Sequence, residues 1–324
     1  MKTPGSLDNF DDRTSNPAMH SERAVVSIDL ARVRSHVARI ATATGVGVIA
    51  VVKADAYGLG ATRVAAAIAD AVDGFYVFDL QEALDANLPA LGKPIIVLRG
   101  DLNEENEFIA ARARPVVWDA TAAARLRAAR PVLAVDTGQQ RFACPADALD
   151  AVIKAGAIDE AFTHATKVDH AVTFDAITRD LKLRRHAAGS ALLSEPAARF
   201  DAVRPGLALY DGAVRVTAPL IDARNSTGPA GYSGFIVPRF GLIAVGYSHG
   251  LRPGPASIDG RPTRILEVGM QTSFVELSPV DLVGDQVVLL GDEVPLSTIA
   301  PAWGCSMQQV LGNLCRAGLR KYAE

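Results

Sequence analysis

The chain reads as an α/β protein, an N-terminal (β/α)8 TIM barrel followed by a mostly antiparallel β domain. Three observations predict this. Short apolar strands alternate with Ala-rich helical stretches from about residue 45 to 210. Near-continuous apolar strands separated by helices indicate a parallel sheet buried on both faces, and eight such units close into a barrel. After about Gly212 the helical periodicity gives way to β segments parted by Gly, Pro, Asn and Asp clusters. A doubly wound open sheet is the alternative for the first part, weakened because no GxGxxG follows the first strand.

In chain order, residues 1–23 are polar, rich in Ser, Asp, Asn and Pro, and predict a disordered tail rather than a signal peptide. The strand at 24–30 precedes the barrel pattern and is a candidate to pair with the β domain. The barrel, 24–212, is expected to use strands at 46–52, 75–78, 95–98, 116–118, 132–135, 161–164, 183–187 and 207–210. Amphipathic runs such as 61–72 and 148–157 lie between them. The β domain, 213–324, is expected to carry strands at 214–223, 235–245, 264–268, 273–277 and 286–290, with RNSTGPAG and RPGPASIDG as turns.

Composition sets bounds on partners. The 324 residues are 49% hydrophobic and 21% charged, with a net charge of −3. That balance gives no electrostatic reason for nucleic acid or an anionic membrane, and no apolar run reaches the length of a membrane span. Cys144, Cys305 and Cys315 form no CxxC pair and read as thiols in a reducing compartment, the cytoplasm. No spacing of Asp, His and Cys suggests a metal site. His20, His36 and His170 read as solvated.

The most informative segment is AVVKADAYGLG at 50–60. A lysine ending a buried strand has little water around it, which pushes its amine toward the neutral, nucleophilic form. Such an amine forms a Schiff base with an aldehyde such as pyridoxal phosphate; the alternative is a lysine that snorkels to solvent. Tyr57 could reach a cofactor phosphate. In a TIM barrel the functional groups lie at the C-terminal strand ends, with phosphates in the loops after strands 7 and 8. There HAAGSALLSEP places Ser190, and VRPGLALYDG offers the N–H groups of Gly206 and Leu207.

VVKADAYGLG, VDTGQQR, HAAGS and RPGLALY together, in this order and spacing, resemble the alanine racemase family, whose members are fold-type III pyridoxal-phosphate enzymes with a barrel and a β domain. The resemblance runs over nearly the whole chain from residue 24. It implies that Lys53 holds the cofactor and is one catalytic base, and that Tyr57, Ser190, Gly206, Leu207 and Tyr322 hold its phosphate. It implies that Arg204 faces the pyridine nitrogen and leaves it unprotonated, making the ring a weaker electron sink. GPAGYSGFIV implies a second base, Tyr232, delivered by the other subunit of a homodimer. His164 would connect Tyr232 and Arg204. Arg141 and the Met270 N–H would hold the carboxylate of a small amino-acid substrate, with Tyr247 near the entrance.

The implied reaction is interconversion of L- and D-alanine for peptidoglycan precursors. The alternatives are another amino acid such as serine, or a cofactor carrier or regulatory paralogue with weak activity. A decarboxylase would place a glutamate where Arg204 stands; an aldolase would need metal ligands; a carrier would have the barrel alone. Several positions depart from the family pattern. Ala134 replaces a usual lysine that helps position the carboxylate-binding arginine, so Arg141 needs another anchor. Gly189, His249, Gln271 and Pro301 replace the usual Asn, Asp, Asp and Tyr.

Overall fold

The computed structural model describes residues 23–324, so all but the last residue of the expected tail at 1–23, His20 included, lies outside the described residues. Eight parallel strands close into a barrel in sequential order: β2 (Gly47–Val51), β3 (Gly74–Val77), β4 (Ile95–Val97), β5 (Ala113–Val117), β6 (Val132–Ala134), β7 (Glu160–Ala165), β8 (Arg184–Ala188) and β9 (Ala202–Val203). Closure comes from β9 beside β2, where Gly47 faces Ala202 and Val48 faces Val203. Strands buried on both faces carry apolar residues at every position, which is why β3 and β4 are buried throughout.

The second sheet has eight strands in the order β11–β14–β13–β12–β15–β10–β1–β16. Their spans are β1 (Val25–Asp29), β10 (Val214–Asn225), β11 (Arg239–Ile243), β12 (Gly254–Ile258), β13 (Arg261–Val268), β14 (Ser273–Glu276), β15 (Gln286–Leu290) and β16 (Leu319–Ala323). β11 also pairs with the second half of β10, so the sheet curls back on itself. β1 lies antiparallel to β10 and parallel to β16, with Val25 opposite Leu319 and Ile28 opposite Tyr322. From β1 the chain enters the barrel directly through the helix Leu30–Thr44, which Asp29 caps by accepting the Arg32 N–H.

Four expectations need correction. The eighth strand is Ala202–Val203, and Leu207–Tyr210 is a short helix; its apolar run looks like a strand because Leu207, Leu209 and Tyr210 are all buried. RPGPASIDG is not only turn: it holds β12, joined to β13 by the two-residue Asp259-Gly260 turn with both φ positive. Helices do not cease after residue 212, since Leu296–Trp303 and Met307–Leu314 follow, the second opened by a Ser306/Gln309 capping box. His36 is buried rather than solvated, its Nδ1 3.0 Å from the Leu209 carbonyl oxygen, and burial lowers its pKa.

The N-terminal end of the barrel is closed by charge. Glu160, at the start of β7, accepts from Arg114 and, at 3.1 Å, from Arg184. His186 of β8 donates Nε2–H to the same carboxylate at 3.1 Å, and its Nδ1 has no partner. Burial outweighs the carboxylate and holds His186 near pKa 4, so the imidazole is neutral; the hydrogen bond and guanidiniums outweigh burial at Glu160 and hold it near 2. Both groups bind fewer protons folded than unfolded, so stability is lost as pH falls. The His186 contribution is lost between about 6.5 and about 4, the Glu160 contribution between about 4.5 and about 2.

The melting temperature is therefore expected to drop between pH 7 and pH 5. Glu160→Gln leaves Arg114 and Arg184 facing an amide and is expected to cost about 3 kcal/mol in denaturant unfolding.

Candidate active site

At the opposite end of the barrel a cavity of about 260 Å3 opens among the strand C-termini. Of the residues singled out in the sequence, Lys53, Tyr57, Arg141, His164, Ser190, Arg204, Gly206 and Leu207 line it. They come from the segments after β2, β6, β8 and β9 and, for His164, from the end of β7 itself, so the barrel strands bring them together.

Lys53 follows the buried end of β2. Its amine is pushed below the ordinary lysine range, first by burial and then by the positive charges of Arg141 and Arg204, against an opposing pull from Glu82. The chain then makes an unusual turn. Ala54, Asp55, Ala56 and Tyr57 all have positive φ, from 53° to 60°. A left-handed L-residue costs roughly 1–2 kcal/mol, so this segment persists only because its surroundings hold it. Asp55 accepts the Ala61 N–H at 2.7 Å and pairs with Arg320 of β16 at 2.7 Å. Glu82 accepts the Ala54 N–H at 2.8 Å. The Tyr322 hydroxyl donates to the Leu59 carbonyl at 2.8 Å and lies so close to Gly60 that a Cβ there would meet it at 2.1 Å.

Arg204 follows β9 and is buried, with 6% exposure. Its guanidinium lies 4.3 Å from the Phe162 ring centroid and 5.3 Å from that of Tyr76. Nη2 donates to the Thr163 carbonyl at 2.6 Å, while Nε has no partner among the described residues. Burial lowers the Arg204 pKa. Beside it His164 is held near pKa 4, chiefly by its enclosed position and then by the charges of Arg204 and Arg141. His164 is exposed and lines the cavity. His164 makes no hydrogen bond to Arg204; the Thr163 backbone takes that place.

The far wall is built from Ser190 and the backbone that follows β9. Ser190 Oγ accepts the N–H groups of Gly206 at 3.0 Å and Ala208 at 3.1 Å, which leaves the hydroxyl proton to be donated elsewhere. A Cβ on Gly206 would sit 2.3 Å from the Tyr57 hydroxyl, so only glycine lets the tyrosine approach this backbone. Arg141 is carried by the loop after β6. There Asp136 accepts the N–H groups of Gly138 at 2.8 Å and Gln140 at 3.0 Å, and Phe142 packs on Trp118 with ring centroids 5.4 Å apart. With Ala134 in the cavity wall, Arg141 is exposed and its backbone is placed by this Asp136-folded loop.

Four expected site residues do not reach the cavity of their own chain. Tyr232 is 94% exposed, Met270 62% and Tyr247 57%. They share one edge of the β domain, where Glu267 accepts the Tyr232 N–H at 2.7 Å and the Met270 carbonyl accepts the Ser248 N–H at 3.1 Å. Tyr322 is a correction to the phosphate set. The register of β16 on β1 turns its hydroxyl to Leu59, outside the cavity. Conversely, Tyr76, Phe162, Thr163 and Glu82 were not singled out in the sequence. The first three look like ordinary strand residues, and Glu82 looks like the third residue of the helix that Asp79 caps.

The family model "Alanine racemase, N-terminal domain" matches residues 28–213. The chain belongs to the alanine racemase family. Among curated relatives of this family, an alanine racemase from Azoarcus sp. is 30% identical over 93% of this chain and 99% of that protein. A catabolic alanine racemase from Pseudomonas aeruginosa is 30% identical over 92% and 98%. The crystal structure of the biosynthetic alanine racemase from Pseudomonas aeruginosa superposes with a TM-score of 0.85 at 26% identity, covering 94% of this chain and all of that one. The fold also matches the Bartonella henselae alanine racemase with covalently bound pyridoxal phosphate, TM-score 0.83 at 22% identity, over 93% of this chain and 99% of that one.

The racemase-family cavity generates a direct test of the lysine. Limited acetylation followed by peptide mass spectrometry across pH is expected to modify Lys53 with a lower pH midpoint than the exposed Lys154, Lys167 and Lys182.

Proposed function

We propose that this chain is a pyridoxal-phosphate-dependent racemase of alanine. Lys53 of one subunit and Tyr232 of the partner subunit would act on opposite faces of the substrate α-carbon. The observation that carries this reading is the desolvated Lys53 amine lining the same cavity as the orphaned Nε of Arg204.

The residues present fit the cofactor. Arg204 Nε supplies a fixed donor to a ring nitrogen and, as a guanidinium, keeps its own proton. Ser190 with its free hydroxyl proton, the Tyr57 hydroxyl and the Leu207 N–H would suit a phosphate, while the Gly206 N–H is held by Ser190 Oγ. Bound there, pyridoxal phosphate supplies an aldehyde for amines and a ring that draws electron density from the substrate α-carbon.

The protein does the rest. Arg141 would bind the substrate carboxylate and so fix the orientation of Cα. Lys53 takes the α-proton from one face, and the Tyr232 hydroxyl gives a proton to the other; the reverse reaction exchanges the roles. His164 stays neutral beside Arg204 and adds no charge to the site. As a guanidinium that keeps its proton, Arg204 would limit how much charge the bound ring draws from Cα, which would favour return of a proton there.

The exposed edge bearing Tyr232, Ile236, Tyr247 and Met270 supports assembly as a homodimer in which each subunit completes the other's site. In this reading residues 24–212 hold the cofactor and 213–324 supply the partner's base and entrance. The enzyme works in the cytoplasm, where the free thiols Cys144, Cys305 and Cys315 stay reduced.

The test is loss of the α-proton signal in deuterated water, followed by NMR for alanine and serine with product chirality in parallel. Tyr232→Phe is expected to slow racemisation by about 100-fold or more while the bound cofactor's visible band survives. Lys53→Ala should abolish the band. Mixing the two inactive variants should restore activity, because a mixed dimer holds one site with both bases. No proton exchange by the cofactor-loaded parent chain would overturn the proposal.

A further inference from the structure

The left-handed turn after Lys53 is held on its first peptide by a carboxylate with no role in the steps above. One oxygen of Glu82 accepts the Ala54 N–H at 2.8 Å, and the other accepts the Phe78 N–H at 2.8 Å. Ala54 is the residue after Lys53 and opens the run of positive φ; its N–H has no backbone acceptor among the described residues. Phe78 directly follows β3, the neighbouring barrel strand. Glu82 is itself fixed, because its N–H donates to Asp79 at 2.9 Å at the start of the helix Leu80–Asp85.

We propose that Glu82 is a positioning residue of this site, clamping the Lys53–Ala54 peptide to the end of β3 and so setting the direction in which the lysine side chain enters the cavity. The inference rests on Lys53 as the cofactor-bearing amine.

The clamp needs a carboxylate of this length. Two N–H donors converge on one side chain, so both of its oxygens must accept. A glutamine accepts one donor and turns an NH2 group against the other. An aspartate, one methylene shorter, does not span both. Glu82 is also the negative charge that opposes burial, Arg141 and Arg204 at the Lys53 amine. Geometry and charge are therefore separable: Glu82→Gln removes the charge and one bond, whereas Glu82→Asp keeps the charge and loses the span.

The experiment uses the full chain loaded with pyridoxal phosphate, as the parent, Glu82→Gln and Glu82→Asp. Three readouts are taken: backbone amide exchange in peptides covering 53–60, the pH titration of the bound cofactor's visible band, and kcat and KM for alanine. In Glu82→Gln, exchange over 53–60 should quicken by about tenfold, the factor one hydrogen bond sets. Its band should titrate at lower pH, because a nearby negative charge is gone. Its kcat should fall by about tenfold with KM little changed, since the defect lies in orientation rather than binding. Glu82→Asp should keep the parent titration while losing kcat and amide protection.

Parent-like exchange over 53–60 in both variants would overturn the proposal, whatever their activity. A parent chain that holds no cofactor on Lys53 would instead refute the functional reading. The exchange measurement, repeated without cofactor, would still decide whether Glu82 holds the turn.

Discussion

Four successive L-residues in the left-handed region cannot be held by local preference, and Ala54–Tyr57 is such a run. The surrounding molecule is arranged around that constraint. The barrel supplies Glu82 and the end of β3 on one side. The β domain supplies Arg320 to Asp55 and Tyr322 to Leu59 on the other. What results is a lysine and a tyrosine projected into one cavity from a turn that an ordinary right-handed helix start would aim elsewhere. Strain concentrated at a functional site and held by several independent contacts is a recurring way to fix a reactive group.

The barrel interior carries polar groups from end to end, each handled differently. At the bottom, Glu160 is ionised because two guanidiniums and an imidazole donate to it. In the middle, His186 is neutral and stacks on Phe162 with planes 4° apart and centroids 5.4 Å apart. At the top, Arg204 lies on Phe162 and Tyr76 and spends one donor on Thr163, leaving Nε for the cavity. Phe162 is thus shared between the structural base of the barrel and the guanidinium of the site. A smaller residue there would loosen both.

The barrel was legible where strands are buried on both faces, since β2, β3 and β4 are unbroken apolar runs. The eighth strand was not, because two residues carry no periodicity and the nearby Leu207–Tyr210 run is more apolar. The β domain was read through its longer strands, while β12 hid inside a Gly- and Pro-rich stretch. Lys53, Tyr57, Ser190, Gly206 and Leu207 were legible because residues after barrel strands share one rim, whereas Arg141, His164 and Arg204 were reached only through the family resemblance. Tyr322 was misplaced because its direction depends on the register of β16 against β1, a contact across nearly the whole chain. Glu82 went unnoticed because its spacing from Asp79 looks like capping alone.

That same pairing of Val25 with Leu319 bears on the order of folding events. Apart from the closing β2–β9 pair, barrel strands neighbour one another in sequence, and contacts of short separation form early. The β1–β16 ladder closes the longest loop among the described residues, so its entropy is the last to be overcome. Arg320 and Tyr322 reach the lysine turn only through that ladder. A nascent chain with a formed barrel therefore still has a loosely held turn, and the site gains its final rigidity at the last stage of assembly.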